Sequence, residues 1–451
     1  MKIIGITGNS GSGKTTVSNI IEKEYNAKKI DADQIAKELS KNGTEYFKEI
    51  VEYFGAEILD SNRQIDRKKL ANIIFNNNIK RARLNEITEK YVVLNINKKI
   101  EEYSKQNELI VIDVPLLFES DLHKKCDFVI GVISDEALKI ERICKRDNIE
   151  KEIAQKRIEA QKSDEFLIGN CTNIITNDGD TDEISQQIDL IFNENIIYKN
   201  TGKIKYIQFK KLKEYPEIEH AFVIKPLNFR GTDEVRLLEN YKKIAKVLDI
   251  DVEKIVKPHQ THTDNIYNVK DEIGIHIEKL NNVDGLLTSE KQRILSLTFA
   301  DCMPIYLYDP VKKVIGNIHS GWKGTLGRIG QKAALQMQRD YECKPQDIVC
   351  VLGPAIRKCH FEVEQDVYEL FKNEYEHMEE WQKIAEKVGD GKYHIDTALI
   401  NKLILKEAGL KEQNIVDTGI CTVCNSKIMH SYRVEKEQSR QKHQPNIFKI
   451  M

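Results

Sequence analysis

Residues 8–15, near the start of the chain, match the pattern G-x-x-x-x-G-K-[ST], which binds the phosphates of nucleoside triphosphates. Backbone N–H groups of such a loop surround the β- and γ-phosphates, Lys14 neutralises their charge, and the Thr15 hydroxyl contributes to a Mg²⁺ site. The apolar run 2–7 predicts a buried strand before the loop, and the apolar spacing after it predicts a helix. This context disfavours the alternative, a glycine-rich turn without a ligand. The candidate nucleotide-binding residues are Gly8, Asn9, Ser10, Gly11, Ser12, Gly13, Lys14, Thr15 and Thr16.

Three further features suit a kinase that phosphorylates a small molecule. Asp33 follows a strand-like segment about one helix after the loop, where its carboxylate would accept a proton from an attacking hydroxyl. Asp113 ends a hydrophobic run, a pattern that places a carboxylate near Mg²⁺. Arg142, Lys145 and Arg146 lie on one predicted helix and would close over the transferring phosphoryl group. Each feature alone suits a turn, a cap or a solvated face, and their order after the loop favours the kinase.

Two histidines and a cysteine in the second half of the chain could hold a metal ion. His262 follows a short polar segment, Cys302 comes directly after a strand-like run, and His319 ends another run before a glycine-rich turn. Strand ends and glycine turns are where catalytic groups are presented. Two imidazoles and a thiolate suit Zn²⁺ with a fourth position open for water. From the spacing alone, histidines that only pack in the core or lie on the surface are the commoner case.

Cys421 and Cys424 form a C-x-x-C pair with the spacing of a zinc finger. No second C-x-x-C or H-x₃-H pair accompanies them. The sequence therefore favours two reduced thiols in a turn over a structural zinc site.

Bulk properties limit the class of protein. The chain has 451 residues, more than one ordinary core holds, so two or more domains are expected. A net charge of −2 gives no sign of a nucleic-acid surface, and no apolar run is long enough to cross a membrane. The nine scattered cysteines and a start that leads straight into a strand, without a secretory signal, predict reduced thiols and a cytoplasmic protein. The guanine-recognition motif N-K-x-D is missing, since residues 97–100 lack its aspartate, which argues against a GTPase.

The order of predicted elements divides the chain in two. Apolar runs at 2–7, 109–114, 128–132 and 173–176 alternate with helical segments, which predicts an α/β domain with a parallel sheet flanked by helices and a helical lid. The second half has short strand-like runs, helices and most of the prolines, which predicts a separate mixed α+β domain. We expect the first domain at 1–198, a linker at 199–204 and the second domain at 205–451.

The first half resembles a known enzyme family in a series of ordered motifs. These segments are residues 5–8, 30–33, 65–70, 114–119, 142–147, 157–161 and 175–177. In this order they are similar to the dephospho-CoA kinase family over that family's whole length. The resemblance implies transfer of the γ-phosphoryl group of ATP to the ribose 3′-hydroxyl of dephospho-CoA with Mg²⁺. It also implies that Asp33 is the base, Lys14 and Arg146 act on the phosphates, and Asn177 lies near the adenine.

Motifs of the second half resemble another family. These segments are residues 260–262, 284–288, 300–304, 319–324, 352–356, 361–363 and 421–440. They are similar to the laccase-domain family, also called the polyphenol oxidase or purine nucleoside phosphorylase family. The resemblance implies that His262, Cys302 and His319 bind zinc. It further implies phosphorolysis of adenosine, inosine and guanosine, and deamination of adenosine. Multicopper oxidation is disfavoured because this half has no H-x-H ligand pairs.

One departure from the second family concerns the residues 221–230. The family has a Phe-Ser-Thr-Arg segment there, whereas this chain reads Ala-Phe-Val-Ile-Lys-Pro over 221–226. The expected arginine contact to substrate or phosphate is missing or is replaced by Lys225 or Arg230.

Together these features predict a bifunctional enzyme that acts on small molecules: ATP and dephospho-CoA in one half, purine nucleosides and phosphate in the other. Two alternatives are a second half that has lost catalysis and serves as a nucleoside-binding or dimerisation module, and a P-loop NTPase that regulates its attached domain. The sequence leaves the oligomeric state open.

Overall fold

The N-terminal part of the protein contains a parallel sheet, built mainly from apolar runs. A computed structural model describes residues 1–75, 77–229, 233–272, 274–275, 280–291, 293–439 and 442–451. The strands are β1 (Lys2–Gly8), β2 (Lys28–Asp31), β3 (Leu109–Asp113), β4 (Phe128–Ile133) and β5 (Asn173–Thr176). They pair in parallel in the order β2-β3-β1-β4-β5. Helices cover both faces of such a sheet, which is why its central strands are almost wholly apolar.

The helices of this part connect successive strands and carry the polar residues between them. Several begin at a side-chain cap, such as Asp31, whose carboxylate accepts a hydrogen bond from the Gln34 N–H. The helices are α1 (Lys14–Glu24), α2 (Ala32–Leu39), α3 (Glu45–Phe54), α4 (Arg67–Phe75), α5 (Asn78–Tyr103), α6 (Glu136–Asp147), α7 (Lys151–Glu159), α8 (Asp164–Asn170) and α9 (Thr181–Phe192). The predicted α/β domain with a parallel sheet flanked by helices is confirmed.

The C-terminal part contains mixed sheets. Its strands are β6 (Ile196–Asn200), β7 (Lys205–Phe209), β8 (Ile218–Val223), β9 (Ile255–Lys257), β10 (Ile266–Asn268), β11 (Gly274–Ile275), β12 (Gly285–Thr288), β13 (Ile294–Leu295), β14 (Thr298–Phe299), β15 (Met303–Asp309), β16 (Val314–Ser320), β17 (Val349–Leu352), β18 (Glu362–Glu364), β19 (Ala385–Gly389), β20 (Lys392–Ile395), β21 (Ile415–Asp417) and β22 (Gln444–Ile450). One sheet runs β10-β12-β16-β15-β17-β21, a second runs β11-β9-β13-β22-β8-β7-β6 with β14 beside β22, and a third runs β18-β20-β19. Both parallel and antiparallel pairs occur, as the mixed α+β prediction requires.

Helices pack against these sheets. They are α10 (Lys210–Lys213), α11 (Glu234–Leu248), α12 (Trp322–Leu326), α13 (Ile329–Tyr341), α14 (Gln365–Tyr375), α15 (Trp381–Ile384), α16 (Thr397–Glu407) and α17 (Tyr432–Ser439). The central strands β15 and β16 are buried along their whole length. Apolar residues of α13 and α16 join them in one core, so the end of β16 is held rigidly.

The chain divides into two compact units, Met1–Ile188 and Asp189–Met451. The expected linker 199–204 is not a separate segment in the structure. These residues belong to a hairpin of the second unit. β6 and β7 pair in antiparallel register from Ile196 with Phe209 to Asn200 with Lys205. At the turn of this hairpin the Asn200 side chain accepts a hydrogen bond from the Gly202 N–H at 2.9 Å. Within the described ranges, no helix is both long and apolar enough to span a membrane.

Candidate active sites

The glycine-rich loop joins β1 to α1 in the first unit. Gly11 and Gly13 have φ angles of 78° and 90°, which glycine adopts without the penalty that a side chain would add. The Lys14 ammonium donates hydrogen bonds to the carbonyl oxygens of Gly8 at 2.8 Å and Asn9 at 3.2 Å. Lys14 is thus held inside the loop by the backbone that would surround a phosphate chain.

Side chains from distant segments brace this loop. The Asn177 amide donates to the Ser12 carbonyl at 2.7 Å, and the Gln161 side chain accepts from the Ser10 N–H at 2.8 Å. The Arg142 guanidinium donates to the carbonyl of Gly11 at 3.2 Å and to that of Asn177 at 3.0 Å. Arg142 was expected to close over the phosphoryl group with its neighbours, and in the structure it is anchored to the loop backbone instead.

A buried carboxylate lies near the start of α1. Asp113 accepts a hydrogen bond from the Ser18 hydroxyl at 2.8 Å and lies 3.7 Å from the Lys29 ammonium. Burial raises the pKa of Asp113, although Ser18 and Lys29 oppose that rise. Burial also lowers the pKa of Lys14, while the charges of Asp113 and Asp33 counteract it. A carboxylate beside the helix that begins at the glycine-rich loop is an oxygen donor of the kind that Mg²⁺ prefers.

Asp33 lies in the first turn of α2, exposed at the mouth of a cavity of about 410 Å³. The other residues lining this cavity are Ala36, Lys37, Ser40, Tyr46, Ile65, Leu70 and Leu84. The charges of Asp33 and Arg146 both act on Lys14, the first raising its pKa and the second lowering it. Arg146 is more than half exposed and pairs with Asp147 through two hydrogen bonds of 2.8 and 2.9 Å.

The structure brings His262, Cys302 and His319 together in the second unit, with their ligand atoms within 4.8 Å of one another. His262 lies in the loop between β9 and β10, Cys302 directly precedes β15, and His319 is the penultimate residue of β16. Strands β15 and β16 are paired, which explains how two of these residues meet. The predicted candidate ligands therefore form one cluster.

Asp284, which the sequence analysis did not single out as a site residue, orients this cluster. Its fully buried carboxylate lies 2.7 Å from His319 Nδ1 and accepts hydrogen bonds from the N–H groups of His262 at 3.1 Å and Thr263 at 2.7 Å. A carboxylate on Nδ1 leaves Nε2 of His319 available to a metal ion. The motif 284–288 was recognised as a family segment, but nothing in the sequence indicated its contact with His319.

The charges of this cluster couple Cys302 to His319, and a bound metal ion would displace the protons that the two groups carry. Burial alone would raise the pKa of Cys302, but the neighbouring imidazoles of His319 and His262 outweigh it and lower that pKa to about 6. Burial alone would lower the pKa of His319, but Cys302 and Asp284 raise it to about 10. A thiolate with two histidines is a donor set that Zn²⁺ accepts, so the residues present fit that ion.

The cluster opens into a cavity of about 1360 Å³. Phe229, Trp322 and Phe361 give it aromatic surface, and Asp301 and Arg433 line it together. The Asp301 carboxylate accepts a hydrogen bond from the Arg433 N–H at 2.7 Å. Such a mixture of aromatic and polar groups is typical of a small-molecule site.

A buried cation in this cavity was not found by sequence reasoning. Lys257 at the end of β9 is only 7% exposed, and no hydrogen bond or ion pair joins its ammonium to another described residue. Burial lowers its pKa to about 8. Lys225 bonds instead to the Ser426 carbonyl at 2.7 Å and to Glu435 at 2.6 Å, and Arg230 lies outside the described residues.

Fold and site together define two classes of domain in one chain. The first unit is a P-loop domain of the kinase type, and the second is a mixed α+β domain with a candidate metal centre. The family model of dephospho-CoA kinase matches residues 2–183, and that of multi-copper polyphenol oxidoreductase laccase matches residues 226–443. The chain belongs to the dephospho-CoA kinase family in its N-terminal part and to the laccase-like family of purine nucleoside phosphorylase YlmD in its C-terminal part.

Similar proteins support both assignments. A dephospho-CoA kinase of Fusobacterium nucleatum is 41% identical over 187 residues, which cover 42% of this chain and 95% of that protein. The purine nucleoside phosphorylase YlmD of Bacillus subtilis is 31% identical over 203 residues, 44% of this chain and 72% of that protein. The crystal structure of YlmD from Geobacillus stearothermophilus covers 56% of this chain and 99% of its own at 23% identity, with a TM-score of 0.50, which indicates a shared fold.

Proposed function

We propose that the protein is a bifunctional enzyme whose first unit phosphorylates the ribose 3′-hydroxyl of dephospho-CoA with ATP. The observation that carries this proposal is that Asp33 lines a cavity and that its charge, like that of Arg146, acts on Lys14 of the glycine-rich loop. The family and the dephospho-CoA kinase relatives support the choice of acceptor. Mg²⁺ accompanies ATP in this chemistry, with Thr15 and Asp113 as its candidate protein contacts.

In this reaction the 3′-oxygen attacks the γ-phosphorus in line, its proton passes to the Asp33 carboxylate, and ADP leaves. Lys14 would compensate the charge of the phosphates, and Arg146 would turn from Asp147 toward the transferring group. Asn177 supports the loop through Ser12 and would lie near the adenine. The protein contributes mainly position and charge, because phosphoryl transfer needs little covalent help.

CoA formation from ATP and dephospho-CoA by the full chain tests this proposal. Asp33→Asn removes the base and should lower kcat by about 10²–10⁴-fold with ATP binding retained. Glu38→Gln, an exposed carboxylate on the same helix, is the matched control and should leave the rate unchanged. ATP hydrolysis that does not depend on dephospho-CoA would instead favour a regulatory NTPase.

We propose further that the second unit is a zinc-dependent purine nucleoside enzyme. The candidate zinc ligands are His262, Cys302 and His319, and the ion would supply Lewis acidity and an activated water. The observation that supports this proposal is that the three ligands line a large cavity that also has aromatic side chains in its wall. Its reactions would be phosphorolysis of adenosine, inosine and guanosine and hydrolytic deamination of adenosine, and the YlmD relative supports the substrate class.

The residues around the cluster have separate tasks in this proposal. Asp284 holds His319 in one orientation, and aromatic side chains such as Phe361 stack on the purine. Lys257 offers a positive charge within the cavity for phosphate, in the role first sought at Lys225 or Arg230. A reducing compartment such as the cytoplasm suits the chemistry, because Cys302 must stay a free thiolate.

Incubation of the full chain with adenosine, with and without phosphate and a zinc chelator, tests the second activity. Phosphate-dependent adenine or zinc-dependent inosine is the expected product, and Cys302→Ser should abolish either. Cys144→Ser, in the first unit, is the control for loss of a thiol. Unchanged adenosine with a folded, zinc-loaded chain would favour the alternative of a nucleoside-binding or dimerisation module.

A further inference from the structure

A second group of possible metal ligands lies outside the His262–Cys302–His319 cluster. Cys359 and His360 follow β17, and Cys421 and Cys424 follow β21. The ligand atoms of these four residues all lie within 4.8 Å of one another. The structure thus provides the second pair of ligands that the C-x-x-C motif lacks in the sequence.

The distances within this group agree with tetrahedral coordination. Around a tetrahedral Zn²⁺, two thiolate sulfurs lie about 3.8 Å apart, and a sulfur and an imidazole nitrogen about 3.6 Å apart. The Sγ atoms of Cys359 and Cys424 are 3.9 Å apart. His360 Nδ1 lies 3.2 Å from the sulfur of Cys359, 3.6 Å from that of Cys421 and 3.5 Å from that of Cys424. The sulfur separation of 3.9 Å is far longer than a disulfide bond of about 2.05 Å.

The two segments that carry the ligands are joined to each other independently of any metal. The Thr422 N–H donates to the Ala355 carbonyl at 3.0 Å, next to a β-bridge between Ala355 and Cys421. The Arg357 side chain donates to the carbonyls of Gly353 at 2.8 Å and Ile420 at 3.2 Å. These contacts hold the segments in register, so the four ligands are arranged by the fold and little ordering is needed on binding.

We propose that Cys359, His360, Cys421 and Cys424 bind one structural zinc ion. Three thiolates and an imidazole form a closed set of four protein ligands, the kind found in structural rather than catalytic zinc sites. Binding exchanges the thiol protons for the metal, with no change of oxidation state. The site is therefore chemically distinct from the His262–Cys302–His319 cluster, which leaves a coordination position open.

This zinc would support the wall of the large cavity. The Thr422 hydroxyl donates to the Asp301 carboxylate at 2.6 Å, and the Ile356 N–H donates to the Asp301 carbonyl at 2.8 Å. Asp301 adjoins Cys302, and it has a positive φ of 80° that its neighbours must maintain. Both segments of the zinc site thus contact the residue next to a candidate catalytic ligand.

The metal content of the purified full chain tests the proposal. We expect about two zinc ions per wild-type chain and about one in the Cys359→Ser/Cys424→Ser variant. Cys302→Ser should also hold about one, through the four-ligand site, and Cys144→Ser should keep both. Replacement of zinc by Co²⁺ in Cys302→Ser should give intense thiolate charge-transfer and tetrahedral d–d bands. Equal zinc in the wild type and the double serine variant, or iron in place of zinc, would overturn the proposal.

Thiol labelling of the wild type remains informative if the variant does not fold. Cys359 and Cys424 are exposed, so an alkylating reagent should modify both after chelation and neither in the zinc-loaded protein. Rapid labelling in both states would contradict a metal site. A mass 2 Da lower without reductant, with no free thiols at these positions, would show a disulfide instead and equally overturn it.

Discussion

The contact between His319 and Asp284 decides how firmly the candidate zinc ligands are oriented. Replacement of Asp284 by Asn keeps the shape but removes the charge that fixes Nδ1 of His319. We expect metal affinity at this cluster to fall about 10–100-fold and nucleoside turnover to fall with it. Competition with a chromophoric chelator measures the affinity directly. Asp309→Asn, another fully buried carboxylate in β15, is the control and should leave that affinity unchanged.

The proposed role of Lys257 in phosphate binding predicts a dependence of that binding on pH. Because its pKa is lowered to about 8 from the ordinary 10.5, its positive charge is present below pH 8 and lost as the pH rises through it. Phosphorolysis should therefore show a KM for phosphate that rises above pH 8. Lys257→Arg should keep phosphate binding to higher pH, and Lys257→Met should weaken it below pH 8, where the wild-type lysine is charged. A KM for phosphate that follows the same pH curve in all three proteins would contradict this role.

Among the elements, the β1–loop–α1 unit depends on backbone angles that glycine adopts without strain. A Cβ atom at Gly13 would lie 1.9 Å from the Asn177 amide nitrogen, at a φ of 90° that side chains disfavour. Gly13→Ala should therefore displace Asn177 from Ser12 and reduce ATP affinity and kinase rate by more than about 100-fold. Calorimetric titration with ATP and a CoA-formation assay measure the two effects.

Gly169 in α8 offers the matched control for that substitution. A Cβ atom there meets no atom within 4 Å, so Gly169→Ala should leave kinase activity at the wild-type value. If Gly13→Ala were equally harmless, the close packing of Asn177 against the loop would not matter for nucleotide binding.

For the whole molecule, the division into two compact units predicts separable activities. Each candidate site draws its residues from one unit, since the kinase residues lie before Ile188 and the nucleoside residues after it. Asp33→Asn should leave nucleoside turnover within about twofold of wild type, and Cys302→Ser should do the same for CoA formation. CoA formation and nucleoside turnover, both measured on each purified variant, test this expectation. Loss of both activities in either variant would reveal coupling between the sites.

Features that depend on neighbouring residues were predictable from the sequence. The glycine-rich loop is contiguous, and four of the five strands of the first sheet are apolar runs whose predicted bounds agree with the structure to within one residue, whereas β2, with the sequence Lys-Lys-Ile-Asp, is not such a run. Asn173–Thr176 is an example, since its predicted and observed ends coincide. The prediction of a linker at 199–204 differs from the structure, where these residues belong to the β6–β7 hairpin, because a polar turn has the same composition in a linker and in a hairpin.

The sequence by itself determined the nucleotide-binding loop, the fold class of both halves and the candidate ligands His262, Cys302 and His319. Only the tertiary structure decided that Asp284 orients His319, that Lys257 is buried in the cavity, and that Cys359 and His360 meet the C-x-x-C pair. The physical reason is separation along the chain. Cys359 and His360 lie more than 60 residues before the C-x-x-C pair in the chain. Contacts at such a separation depend on strand order and on the packing of loops at strand ends, and local spacing does not encode either.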